Sequence, residues 1–161
     1  MASFLRDMIV AATCALTAAC ASSFDPRTTM TPDQAAQLQP GQIAVDVQVA
    51  DARKTLSETL RVTMKNTLAT CMTGSMPANI NVRVDNYKEQ NGAMTVLLGD
   101  SIALAGLVTF TDAQSGRLLG EYRVSEVTAG AGVIGLAMMA DAENSLSKDF
   151  SGRICKEVFS K

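Results

Sequence analysis

Thiols are the reactive groups that this sequence places most distinctively. The 161 residues include four cysteines, Cys14, Cys20, Cys71 and Cys155, and no histidine. Without imidazole there is no Ser-His-Asp or Cys-His catalysis, no His-ligated metal and no histidine pH switch. No Cys-x-x-Cys spacing occurs, so a redox-active pair is not expected. The carboxylates Asp46, Asp85, Asp100, Asp112 and Glu121 are scattered. A glycosidase needs two carboxylates flanking one cleft, and nothing in this spacing pairs them. No catalytic residue, metal or cofactor is therefore assigned.

Cys20 stands apart because of what precedes it. Met8 to Ala19 is an uncharged, largely apolar run of twelve residues ending in Ala18 and Ala19. A spanning helix needs about 20 apolar residues to cross roughly 30 Å of hydrocarbon. The run is too short for that and matches the apolar region of a secretion signal. Arg6 supplies the positive charge expected ahead of it, although Asp7 cancels that charge. The small residues Ala18 and Ala19 suit the narrow pocket of a signal peptidase, so residues 1–19 read as a signal peptide ending at a lipidation site.

Thr17-Ala18-Ala19-Cys20 resembles the lipobox of bacterial lipoproteins, with Leu16 one place ahead of the usual leucine. The resemblance implies that Cys20 carries a diacylglyceryl group and an N-acyl chain such as palmitate. Several chains would anchor the protein firmly, since each buried CH₂ contributes about 0.8 kcal/mol and one chain alone is marginal. In that family an Asp after the cysteine favours the inner membrane. Ala21 and Ser22 stand here, which implies a periplasm-facing protein on the outer membrane.

Removing 19 of 161 residues leaves 142, enough for one domain with one core. A formal net charge of −2 and the lack of a long basic run argue against nucleic-acid binding. With Cys20 acylated, Cys71 and Cys155 are the remaining thiols in an oxidising compartment, where a disulfide is favoured.

Residues 20–41 are expected to form the lipidated N-terminus and a flexible tether, given Pro26, Pro32, Pro40 and Gly41 among polar neighbours. Within it, Thr31-Pro32-Asp33-Gln34 predicts a short capped helix ending before Pro40. The folded domain is expected over 42–161. Ile43, Val45, Val47 and Val49 alternate with polar or small residues, which predicts a strand with one buried face. Asp51 is the expected cap of a helix to about Met72. Its stripe is Leu56, Leu60, Met64, Leu68 and Cys71, and Lys54, Glu58, Arg61 and Lys65 lie opposite.

Ile80, Val82 and Val84 mark a second strand, and 94–98 is either a short strand or an apolar loop. Ser101 to Thr111 is a strand in which Gly106 signals a bulge or a close backbone approach. A turn over 112–116 returns the chain as a hairpin partner over 117–128. Leu146, Phe150, Ile154 and Val158 mark a last helix over about 138–159, with Cys155 at the edge of its stripe.

This order predicts an α+β two-layer sandwich: a mainly antiparallel sheet of four or five strands with two helices on one face. Cys71 and Cys155 then fall on the two helices that share that face, so a disulfide is geometrically open to them. The other face would show Ala44, Asp46, Gln48, Asn81, Arg83, Ala103, Ala105 and Thr109, able to stand in water or receive a partner.

Gly130, Gly132 and Gly135 spell G-x-G-x-x-G between a strand and a helix, the form that cradles a dinucleotide. No further strand or acidic residue follows to complete that unit. Gly130, Gly132, Val133, Ile134 and Gly135 read better as a connector, or as a close-packing contact with a neighbouring subunit or lipid.

From Leu98 the chain also resembles small bacterial envelope lipoproteins, some loosely similar to the curli-secretion-channel lipoproteins. The residues concerned are Leu98-Gly99-Asp100-Ser101, Gly106-Leu107-Val108, Asp112-Ala113-Gln114-Ser115-Gly116 and the Gly-rich run. The likeness implies an α/β domain with a role in envelope assembly or export. The expected function is a non-enzymatic, membrane-anchored lipoprotein that binds or scaffolds another envelope component. An oligomer lining an export or secretion pore is the alternative, and a carboxylate-based hydrolase comes third.

Overall fold

In the computed structural model the chain alternates short connections with long strands, and residues 22–50, 52, 55–89, 91–130 and 141–160 are described. The described residues form five strands: β1 (Ser23–Thr28), β2 (Leu38–Val47), β3 (Met76–Lys88), β4 (Asp100–Asp112) and β5 (Leu118–Gly130). The helices are α1 (Pro32–Gln37), α2 (Leu56–Cys71), α3 (Gly92–Leu97) and α4 (Ala142–Ile154), which passes into a π-type turn over Cys155–Phe159. The sheet order is β1-β5-β4-β3-β2. All neighbours are antiparallel except β2 and β3, which are parallel because α2 carries the chain back between them. The expected α+β sandwich, with its mainly antiparallel sheet and two long helices on one face, is the fold observed.

The core lies between the sheet and the pair α2–α4. Leu56, Leu60, Met64 and Leu68 of α2 are buried, as are Leu146, Phe150 and Ile154 of α4. They meet Ile80, Val82, Val84, Leu104, Val108, Phe110 and Val124 from the strands. Period four on the helices and period two on the strands aim these side chains at one another. Gly106 sits where a Cβ would come within 2.7 Å of the Arg83 carbonyl oxygen, so the close approach expected there is real.

Four details differ from the sequence reading. First, 22–41 is not a free tether. Ser23–Thr28 pairs with β5 as an edge strand, and α1 follows with the expected capping box between Thr31 and Gln34. Second, β2 starts at Leu38 and includes Pro40 and Gly41, because an edge strand tolerates a residue that cannot donate on its open side. Third, 92–97 is a short helix, neither strand nor loop. Fourth, α2 is described from Leu56, with Thr55 at its cap position and no side-chain cap bond. Asp51, the expected cap, and the start of the last helix at 138–140 lie outside the described residues.

Two glycines make a test of this packing. A Cβ on Gly74 would lie 2.1 Å from the Gln37 carbonyl group, whereas one on Gly152 would meet nothing within 4 Å. Gly74→Ala should therefore cost more than about 2 kcal/mol, because backbone must move. Gly152→Ala, on a helix, should stabilise by about 0.5–1 kcal/mol. Urea unfolding of the two variants checks both signs.

Candidate functional site

Cys71 and Cys155, the two cysteines among the described residues, are brought together. Cys71, at the end of α2, and Cys155, after α4, form a disulfide with a 5.7 Å Cα separation. The bond joins the far ends of the two core helices. At the other ends the Thr55 hydroxyl donates to Glu143. Cys20 and the stretch Gly132, Val133, Ile134 and Gly135 lie outside the described residues. Gly130 is the last residue of β5 and pairs with Asp100, the first of β4.

Beside the disulfide is a cleft of about 570 Å³. Phe24, Met30, Ala35, Tyr122, Val158 and Phe159 are among its lining residues. An aromatic cluster backs it: Phe24 stacks on Tyr122 at 5.3 Å, and Phe110 meets Tyr122 and Phe159 edge-on. The buried Tyr122 hydroxyl accepts the Met30 N–H at 3.0 Å, and burial raises its pKa. The cleft can hold an apolar group. A second recess, of about 480 Å³, lies between α2 and α4 near Glu58, Asp141 and Glu143. Glu58 is committed to Arg61, and no metal-binding group of His, Cys, Asp or Glu exists among the described residues.

The open face of the sheet is polar and mixed in charge. Register aligns Asp25, Arg123, Leu107, Arg83 and Asp46 in one row across all five strands. Arg123 reaches over β4 and grips Asp85 with two bonds of 2.6 and 2.8 Å. That hydrogen-bonded guanidinium lowers the Asp85 pKa. The pair is about one-third exposed, so its contribution stays within about 1 kcal/mol. On the buried side, Glu126 is clamped by Arg153 of α4 at 2.6 Å, which ties the helix layer to β5.

The five carboxylates weighed from the sequence are dispersed into such local duties. Asp46 accepts from Gln48, Glu121 from Thr109, and Asp112 caps its turn through Gln114 and Ser115. Asp100 accepts from Lys88 and from the N–H groups of Asn91 and Ser101. These bonds, Lys88 first, pull its pKa down to about 2. A depressed carboxylate adds stability above its unfolded value of about 3.9 and loses it as pH falls through the folded value. Asp85, Asp100 and Asp112 are all shifted down, the opposite direction from a general acid poised near neutrality. The sequence reading missed the cleft. Its walls come from the supposed tether and the C-terminal turn, which only β1 pairing brings together.

No family model and no curated protein matches the chain. Among solved structures it is similar to PelC from Paraburkholderia phytofirmans, solved as a dodecamer in two crystal forms, one of a point variant. Both align at TM-score 0.59 and 8% identity. They cover 88% and 86% of this chain and 100% and 99% of theirs. A candidate lipoprotein from Caulobacter crescentus CB15 aligns at TM-score 0.47 and 12% identity, over 71% of this chain and 86% of its own, an overlap that supports no conclusion. The chain therefore shares the PelC fold.

The disulfide closes a long loop, its cysteines being 84 positions apart in the sequence. The chain-entropy relation gives about 4.5 kcal/mol for a loop of that size. Reduction, or the double change Cys71→Ser and Cys155→Ser, should lower the urea midpoint accordingly. An unchanged midpoint would show that the bond carries no stability.

Proposed function

We propose that the protein is a non-enzymatic lipoprotein of the cell envelope, held on the outer membrane by acyl chains on Cys20, and that it works by binding or scaffolding another envelope component. The observation that carries this reading is the apolar run closing on Thr17-Ala18-Ala19-Cys20, two residues ahead of the first described residue of the domain. The domain gives such a protein a rigid body. The disulfide fits an oxidising compartment outside the cytoplasm.

A second reading is favoured by the fold. PelC, whose fold this chain shares, was solved as a dodecamer. Assembly of this chain into a ring of copies, as part of an export or secretion pore, is the form of scaffolding that likeness supports. Both edge strands carry a proline and a register shift, at Pro26 in β1 and Pro40 in β2. Such features discourage open-ended edge-to-edge pairing. A closed assembly would then use faces and ends more than strand edges.

Replacing Cys20 by Ala should move the protein from the membrane fraction to the soluble periplasm. Unchanged membrane association would refute the lipid anchor. The native mass of the acylated protein in mild detergent tests the second reading: a defined multimer is expected, and a strict monomer would eliminate the ring.

A further inference from the structure

One end of the sheet gathers features that the fold alone does not need. β4 begins there at Asp100, paired with Gly130 at the end of β5. The connection from β3 to β4 caps the same end through α3. Asp100 closes this connection on itself, taking the Asn91 N–H at one oxygen and the Lys88 ammonium at the other, both at 2.8 Å. The closed loop leaves three consecutive apolar side chains outside the core. Val96 is 43% exposed, and Leu97 and Leu98 are each 76% exposed. Only Val62 and Leu118 join them as exposed large apolar residues among those described, and neither adjoins another in sequence. Among the described residues, the tip is thus where exposed large apolar side chains are concentrated.

The first described residues of the chain lie toward the same end of the sheet. β1 runs antiparallel to β5 from Ser23, opposite Ser125, to Thr28, opposite Glu121, so its first residue is the one nearer the Gly130 end. The Ser22 hydroxyl accepts the Val127 N–H at 3.1 Å. Val127 is three residues short of Gly130, about 10 Å along the strand. Cys20 is two residues before Ser22, at most about 7 Å of chain. The Asp112–Arg117 turn, by contrast, lies at the far end of β4, about 40 Å away.

We infer that the α3 tip, Val96-Leu97-Leu98, is a membrane contact that inserts into the lipid surface beside the acyl anchor. The inference rests on the anchor at Cys20 proposed above. Anchoring within a few residues of the folded sheet leaves little room for rotation, so the sheet end bearing the tip faces the bilayer. Apolar side chains at such an interface gain by leaving water in proportion to their buried area. The acyl chains hold the protein on the membrane, and the tip sets the orientation of the domain.

The test uses the full acylated chain on vesicles of zwitterionic phosphatidylcholine. Neutral lipid keeps the charges of Glu58, Asp141 and Glu143, near the start of α2 and α4, out of the reading. Leu98→Cys and, as the distal control, Ser115→Cys each carry an environment-sensitive fluorophore, and circular dichroism confirms the fold of both. The expected result is a blue-shifted Leu98 label quenched by nitroxide lipids, beside a Ser115 label with neither change. Vesicle flotation with a Leu98 label as wet as that at Ser115 would overturn the inference and leave the anchor standing. A blue shift that lipid nitroxides do not quench would overturn it too, since the tip would then sit in a protein contact. Failure of the protein to float at all would overturn the anchor and the inference together.

Discussion

The buried hydroxyl of Tyr122 is the hinge-pin of this structure. It accepts the Met30 N–H, and its ring stacks on Phe24, so one side chain of β5 holds both ends of the N-terminal segment. Phe110 and Phe159 close on the same cluster from β4 and the C-terminal turn. An unpaired Met30 N–H in that environment would cost about 1–3 kcal/mol, and the tyrosine removes the cost while adding apolar area. The disulfide fastens α2 to the same C-terminal turn. Both described ends of the chain are therefore built into the walls of the domain.

That constraint explains why a small protein devotes a strand to a segment with little apolar content. A free linker of about 20 residues would reach roughly 25 Å and let the domain tumble beneath the anchor proposed at Cys20. Pairing β1 with β5 trades that freedom for orientation. The rest of the topology agrees. The β2–α2–β3 crossover and the β5–α4 order place both long helices on one face. The opposite face is left polar, with the Asp25, Arg123, Arg83 and Asp46 row exposed across it. On the proposed anchor, a body oriented in this way would present the same faces to every neighbour, which the proposed scaffold or ring requires.

Much of this was readable from residue patterns, and the exceptions share a cause. The stripes of α2 and α4 and the alternation in β2, β3 and β4 were visible because each element buries a whole face. β1 was not, since an edge strand is held by backbone bonds and Ser-Phe-Asp-Pro-Arg-Thr turns little but Phe24 inward. Residues 38–41 looked like a helix stop because Pro40 and Gly41 break interior elements, yet the outer edge of a sheet accepts them. The disulfide followed from compartment and helix placement. The cleft was invisible because its two walls are remote in sequence. The Val96-Leu97-Leu98 tip was hidden for the opposite reason: apolar residues in a row read as core until a structure shows them outside it.

The proposed orientation depends on β1 remaining part of the domain when the acylated protein is bound to a membrane. Hydrogen exchange on the acylated protein bound to vesicles tests it at Ser23–Thr28. Slow exchange there, comparable with the partner residues of β5, is the expected result, because paired backbone opens only with the sheet. Exchange at the rate of free chain would contradict it. The domain would then hang on a flexible linker with no fixed face toward the bilayer.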